Sequence, residues 1–98
     1  MRQLIRTSAT FELDAPQWTY ILIALEDAGW KPPRSRLVYI ADGTIVSDDE
    51  AREMARVADL LFSAALDDRI WGQSLQRIDI EVFIKVREFL KDGAFRIG

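Results

Sequence analysis

The clearest pattern of apolar and polar positions in the chain runs from Ser47 to Leu66. Apolar residues recur there at three- and four-residue steps and charged residues take the opposite face, which is typical of an amphipathic helix. Ser47 and Glu50 have the spacing of a capping box, in which each side chain bonds the other residue's backbone N–H. We therefore predict a helix of about 19 residues with an alanine-rich inner face. That face consists of Ala51, Met54, Ala55, Ala58, Leu61, Phe62, Ala65 and Leu66.

The segment from Ser74 to Asp92 has two interpretations. Residues 78–86 alternate almost like a strand, but over the longer window the apolar residues fall at helical spacing. A strand of this length would be unusual, and Lys91-Asp92-Gly93 is typical of a helix C-terminus. We predict a helix, on which Ile80 and Ile84 lie one turn apart on the face that should be exposed to water.

Another helix is predicted between Asp14 and Gly29. Asp14 offers an N-cap, Pro16 is tolerated in the first turn, and Gly29 suits a left-handed residue after the last turn. The competing interpretation is a buried strand, because residues 18–23 are rich in β-formers. The signals at both ends favour the helix, whose apolar stripe is Trp18, Ile21, Leu22, Leu25 and Ala28.

Four short segments have strand character. Thr7–Leu13 alternates loosely, and Leu37–Ile40 is an apolar run. Thr44–Val46 follows the Asp42-Gly43 turn as the second arm of a hairpin, and Ala94–Ile97 is the last predicted strand. The predicted fold is therefore α+β, with three helices packed on a small sheet of short strands. The 98 residues contain no linker or repeat, so residues 1–98 form one domain.

The composition excludes much of enzyme chemistry. The chain has no Cys and no His, which removes disulfides, thiolate zinc sites and every nucleophile activated by imidazole. Its five glycines are isolated, so no phosphate-binding loop is present. We expect no cofactor and a protein that is not an enzyme. The absence of Cys also fits a cytoplasmic protein.

Charge and hydropathy restrict the partners. The net charge of −3 disfavours a nucleic-acid binder that neutralises phosphates. The longest apolar run, Tyr20–Leu25, has six residues, whereas a membrane span needs about 20. The first residues also lack the apolar core of a signal peptide. We therefore expect no membrane association.

An acidic cluster is the one candidate for enzyme chemistry. Asp42, Asp48, Asp49 and Glu50 are close in sequence and supply the oxygen ligands that hard cations prefer. Their spacing does not match a calcium loop, and a turn followed by a capping box accounts for each residue. A carboxylate-based or metal-dependent enzyme using Asp42, Asp48 and Asp49 is accordingly the alternative function.

The connector Trp30–Arg36 is a candidate binding segment. It holds Lys31, Arg34 and Arg36 around two prolines that keep it extended. One interpretation is a stiff basic loop that presents Trp30 to a phosphate or to an acidic partner. The other, which we favour, is a solvated connector with Trp30 folded back onto the core.

Several of these segments together resemble a group of small bacterial proteins. The matching residues are Trp18, the run Ala28-Gly29-Trp30-Lys31-Pro32, Gly43, Val46-Ser47, Glu50-Ala51, Phe89-Leu90 and Gly93-Ala94-Phe95-Arg96-Ile97. That group often has Asp-Ala where this chain has Glu50-Ala51. The resemblance implies a bacterial source and a stand-alone domain, and it carries no activity with it.

The function expected from the sequence is a non-enzymatic protein-binding module, such as an inhibitor, an immunity-type protein or a regulatory protein. The candidate partner-binding residues are Trp30, Lys31, Arg34, Arg36, Ile80 and Ile84. The partner is another protein. Because Ile80 and Ile84 add a second apolar surface to their helix, we also expect a homodimer centred on them.

Overall fold

The computed structural model describes residues 2–66 and 78–98. Within these ranges, three α-helices pack against a four-stranded antiparallel sheet. The helices are α1 (Ala15–Asp27), α2 (Asp48–Leu66) and α3 (Ile80–Lys91). The predicted α+β class is confirmed.

The sheet contains β1 (Arg2–Arg6), β2 (Ala9–Leu13), β3 (Ile45–Val46) and β4 (Phe95–Ile97). Its order is β2-β1-β4-β3, and every neighbouring pair is antiparallel. The last strand therefore lies in the middle of the sheet, between two strands from the first half of the chain. The pairing of β4 with β1 and β3 thus joins segments that are far apart in the sequence.

The N-terminal part of the sheet differs from the prediction. Instead of one strand over Thr7–Leu13, β1 and β2 form a hairpin in which Arg6 pairs with Ala9 across a turn at residues 7–8. The sequence pattern does not predict a strand at Arg2–Arg6. This segment forms β1 because Leu4 is fully buried and pairs with both β2 and β4.

The predicted strand Leu37–Ile40 is wrong. Residues Arg36–Ile40 form a 3₁₀ helix, whose N-cap Ser35 accepts a hydrogen bond from the Leu37 backbone N–H at 3.3 Å. The Tyr39 carbonyl is taken by the Trp18 indole at 2.8 Å, so it is not available to a neighbouring strand. As a consequence β3 pairs with β4 and not with the 3₁₀ segment, and the predicted local hairpin does not form.

The helix ends follow the sequence closely. Asp14 is the N-cap of α1, although its side chain makes no capping bond, and Gly29 has a φ of 113°. The capping box of α2 is present: the Ser47 hydroxyl accepts from the Glu50 N–H at 3.2 Å, and the Glu50 carboxylate accepts from the Ser47 N–H at 3.1 Å. The helix covers 19 residues, as predicted.

The last helix begins later than the sequence pattern suggested. Asp79 caps α3, accepting from the Glu81 N–H at 2.9 Å, so the alternation at residues 78–80 marks a helix entry. The helix is confirmed over Ile80–Lys91, and Gly93 follows it with a φ of 100°. The first residues of the segment Ser74–Asp92, up to residue 77, lie outside the described residues.

The three helices cover one face of the sheet. Phe95 of β4 contacts Trp18 of α1 at 6.3 Å and Phe89 of α3 at 5.5 Å between ring centroids. Leu4, Val46 and Ile97 are fully buried on the same face. The opposite face carries the alternate residues of each strand, and we call it the outer face.

Candidate functional site

Trp30 does not belong to an exposed binding surface. Its side chain is 2% exposed, and its ring lies against Tyr39 at a centroid distance of 5.2 Å. Its backbone N–H donates to the Leu25 carbonyl at 2.9 Å, which turns the chain back over the end of α1. The interpretation that Trp30 is presented to a partner is therefore wrong, and the core interpretation of this residue describes the structure.

The arginines of the connector are engaged inside the domain. Arg34 donates to the Glu50 carboxylate at 2.9 Å and to the Ile45 carbonyl at 2.9 Å. Arg36 donates to the Glu26 carboxylate at 3.0 Å. Lys31 is exposed and has no ion pair within residues 2–66 and 78–98. The connector is thus fastened to α1, α2 and β3, and its role in partner binding stays a prediction.

Glu50 is the centre of a polar cluster at the start of α2. Besides completing the capping box, it accepts from the Tyr39 hydroxyl and from Arg34. Burial by itself raises the pKa of the Glu50 carboxyl, but the hydrogen bonds from Tyr39, Ser47 and Arg34 outweigh it and the pKa is lowered. Burial and the bond to Glu50 raise the pKa of Tyr39. The cluster joins three segments as a structural link.

The acidic residues considered for metal binding do not converge. Asp42 pairs with Arg2, and Asp48 accepts from the Ala94 N–H at 2.7 Å, which joins the start of α2 to β4. Asp49 is exposed in the first turn of α2, where its charge suits the helix dipole. In the described part of the chain, no group of three or more acidic residues could hold a metal ion.

A different site lies on the outer face of the sheet. The strand register puts Ile5 directly opposite Arg96, and Arg96 directly opposite Ile45. Thr10 continues this row as the partner of Ile5 on β2. The row therefore crosses all four strands and places one guanidinium between two isoleucines. Arg96 is exposed and Ile45 is 67% exposed, so the row is open to solvent.

Ile5, Arg96 and Ile45 belong to the lining of an open groove of about 420 Å³. Arg6 lies at its rim and is held in place: it donates to the Gly93 carbonyl at 2.8 Å and its guanidinium lies 3.8 Å from the Phe89 ring centroid. The Arg96 side chain makes none of the ion pairs or hydrogen bonds found among the described residues. The described residues of the groove lining include two guanidiniums and no carboxylate; they are Ile5, Arg6, Thr7, Ile45, Ala94, Phe95 and Arg96.

This arrangement has the chemistry of a binding surface. A guanidinium recognises a carboxylate through two parallel hydrogen bonds, and the flanking isoleucines can bury an apolar side chain. Thr7 supplies a hydroxyl, but no base or nucleophile pair accompanies it in the lining. We name the row Ile5, Arg96 and Ile45 the Arg96 groove.

The Arg96 groove was missed by the sequence reasoning, although part of its signal was present. The predicted strand Ala94–Ile97 places Arg96 on the opposite face from Phe95 and Ile97. The positions of Ile5 and Ile45 beside it depend on which strands flank β4. That information comes only from the register.

The two isoleucines of α3 are exposed, as the pattern predicted. Ile80 is 43% and Ile84 is 37% exposed. Both are on α3, which packs on the covered face of the sheet, so they do not contribute to the Arg96 groove. Tyr20 and Ile23, which lie off the main apolar stripe of α1, are half-buried.

Comparisons of the chain with protein-family models, with curated proteins and with solved structures gave no match. Within residues 2–66 and 78–98, no helix is both long enough and apolar enough to cross a bilayer.

Proposed function

We propose that this protein is a non-enzymatic protein-binding module, of the inhibitor, immunity-type or regulatory kind, that binds an acidic segment of another protein in the Arg96 groove. The observation that carries the proposal is a guanidinium between two isoleucines on an exposed sheet face, with no partner among residues 2–66 and 78–98. We place this activity in the bacterial cytoplasm, in keeping with the absence of Cys.

The arginines of the domain differ in whether they already have a carboxylate partner, and this difference supports binding at Arg96. Arg2, Arg34 and Arg36 already have carboxylate partners within the domain. Binding an external carboxylate at those positions would first break an internal pair, whereas Arg96 has no such pair to break in the described part of the chain. The adjoining isoleucines add apolar area that can be removed from water by the same ligand.

The chemistry of the groove defines the ligand. A peptide with alternating acidic and aliphatic residues in an extended conformation presents its carboxylates and its apolar side chains at the spacing of a strand. Such a peptide can put one carboxylate on Arg96 and an aliphatic side chain against Ile5 or Ile45. A basic peptide of the same pattern would place like charges at Arg96 and is expected not to bind.

The test uses two fluorescein-labelled peptides, one of alternating Asp and Val and one of alternating Lys and Val, titrated with the protein and followed by fluorescence anisotropy. We expect saturable binding of the acidic peptide alone. Arg96→Glu should abolish it, because the charge of the groove is reversed.

The matched control is Arg52→Glu, which makes the same charge change at an exposed position of α2. It should leave the affinity within about twofold of the wild type, since a distant exposed charge is screened. Equal losses in both variants, or no binding of the acidic peptide to the wild type, would refute the proposal.

A further inference from the structure

The two edges of the sheet differ in whether they can accept another strand. The β3 edge is two residues long, and its Ile45 carbonyl already accepts a hydrogen bond from Arg34 at 2.9 Å. The β2 edge is five residues long and contains no proline. Short strands, prolines and covering side chains are the usual protection of an edge against pairing. The β3 edge has such protection, and among the described residues the β2 edge has none.

The backbone groups of β2 that point outward follow from the hydrogen bonds of β1. The Gln3 N–H donates to the Gly98 carbonyl at 3.2 Å, and the Gly98 N–H donates to the Gln3 carbonyl at 2.9 Å. The backbone N–H and C=O of Gln3 are therefore both bonded to β4. Gln3 and Glu12, which are opposite each other on β1 and β2, consequently form a non-hydrogen-bonded pair. Because the pattern repeats every two residues, Glu12 and Thr10 direct their N–H and C=O away from β1.

Both of these residues are accessible. Thr10 and Glu12 are exposed, and outside the β1–β2 ladder no backbone hydrogen bond of the described residues reaches them. The Glu12 carboxylate accepts from the Gln3 amide at 3.1 Å, so it lies back over β1 and not across the edge. Two N–H donors and two carbonyl acceptors are thus left for a partner strand.

We propose that a second copy of this chain pairs antiparallel along β2, about a two-fold axis at Phe11. In this register Thr10 is opposite the partner's Glu12 and Glu12 is opposite the partner's Thr10, so all four outward groups on each copy are used. The Thr10 side chain is neutral, so this register places no like charges directly opposite each other.

The neighbouring registers are less favourable. A shift that puts Glu12 opposite the partner's Glu12 places like charges face to face, which destabilises a cross-strand pair. The opposite shift puts Thr10 against itself and Glu12 against Ser8 of the turn, where the ladder ends. Charge and ladder length therefore select the register centred on Phe11.

The adjoining helix surface supports the same partner. Glu81, Lys85 and Phe89 share one stripe of α3 at four-residue spacing, and Phe89 contacts Phe11 of β2 at 6.2 Å between ring centroids. Arg87 and Lys91, in contrast, pair with Asp59 of α2. Glu81 and Lys85 are exposed on the stripe whose Phe89 contacts β2, carry opposite charges, and make no ion pair within the described ranges. The two-fold axis at Phe11, perpendicular to the strands, relates this mixed-charge stripe to that of the second copy.

The experiment is sedimentation equilibrium of the full chain from low micromolar to several hundred micromolar. We expect a reversible dimer for the wild type and a monomer for Thr10→Pro, because proline removes an outward N–H that the monomer does not use. Thr10→Val, which keeps the N–H and the branched side chain, is the matched control and should remain dimeric. Thermal unfolding of each variant verifies that its monomer is folded.

Charge exchange tests the register without proline. Thr10→Glu should weaken the dimer by about 2- to 30-fold, because two like-charged pairs then face each other. Adding Glu12→Lys to Thr10→Glu should restore it, since each Glu at position 10 then faces a Lys. Arg96→Glu should leave the dimer intact, which separates this result from the fate of the groove proposal.

Two results would overturn the β2 dimer. One is a wild type that is monomeric at every concentration, and the other is a dimer that survives Thr10→Pro. If that surviving dimer is lost in Ile84→Glu, the interface lies on α3, as the sequence pattern predicts.

Discussion

The connector Trp30–Arg36 and the outer face of the sheet both carry arginine beside large apolar residues, but they use it differently. In the connector, Arg34 is held by Glu50 and by the Ile45 carbonyl. On the outer face, Arg96 makes none of the described side-chain bonds. The segment with the highest density of cations along the chain is therefore the one whose arginines are already occupied. Arg96, in a three-residue strand, has no such partner within the described ranges.

The difference has a simple physical origin. The connector runs beside α1 and α2, where the half-buried carboxylates of Glu26 and Glu50 accept hydrogen bonds from its arginines, and leaving these carboxylates without partners would be unfavourable. The outer face has no described layer above it, so Arg96 remains hydrated at no cost. The connector arginines therefore contribute to stability, whereas Arg96 is available for binding.

The largest effect is expected at Trp30. Trp30→Ala should reduce the free energy of unfolding by about 3–5 kcal/mol, because a buried ring is replaced by a cavity. Leu37→Ala is the control, as Leu37 follows the same connector but is 74% exposed. It should change stability by about 0.5 kcal/mol or less. Denaturant unfolding monitored by circular dichroism measures both, and a Trp30 effect as small as the control would contradict the core position.

Removal of Glu50 should have the next largest effect. Glu50→Ala is expected to cost about 2–3 kcal/mol, because it deprives the buried Tyr39 hydroxyl of its acceptor and breaks the capping box. Asp49→Ala, the neighbouring change in the same turn, should cost only about 0.3–1 kcal/mol from the helix dipole. Chemical denaturation of the two variants compares them directly. Equal losses would mean that the cluster contributes nothing beyond its helix position.

A smaller effect is predicted in the pH dependence of stability. The pKa of Glu50 is lower in the folded protein than its ordinary value of 4.5, so the unfolded chain takes up a proton first as the pH falls. The stabilisation by Glu50 is therefore complete above pH 4.5 and is lost as the pH falls through the folded-state pKa. Glu50→Gln should flatten this acid decline in urea unfolding curves, whereas Arg96→Ala should leave its slope unchanged. A Glu50→Gln slope equal to that of the wild type would contradict the assignment.

The smallest expected change is at Arg96 itself. Arg96→Ala should alter the free energy of unfolding by less than about 0.5 kcal/mol, since the side chain is exposed and unpaired among the described residues. Arg34→Ala should cost about 0.5–1.5 kcal/mol, because Arg34 makes hydrogen bonds to Glu50 and to the β3 edge. Paired thermal melts provide the measurement. A larger loss at Arg96 than at Arg34 would reverse the comparison on which the groove proposal depends.

Local signals in the sequence determined the helices. The capping box at Ser47, the glycines after α1 and α3, and the stripe of α2 are all interactions within a few residues, so they can be recognised without the fold. The same signals supported the α+β class. The sequence also favoured the burial of Trp30, since a large aromatic residue beside a helix end is most often part of the core.

Tertiary structure decided the sheet and, with it, the candidate site. The apolar run Leu37–Ile40 suits a strand by composition, but the Trp18 indole takes the Tyr39 carbonyl and the segment becomes a 3₁₀ helix. Strand β3 then pairs with β4, from the far end of the chain, and this pairing puts Ile45 beside Arg96. No local pattern encodes a register between residues 51 positions apart, since it depends on which strand edges meet when the core forms. For that reason the sequence identified the cations of the connector, and only the fold showed that Arg96 lies between two isoleucines without a partner among the described residues.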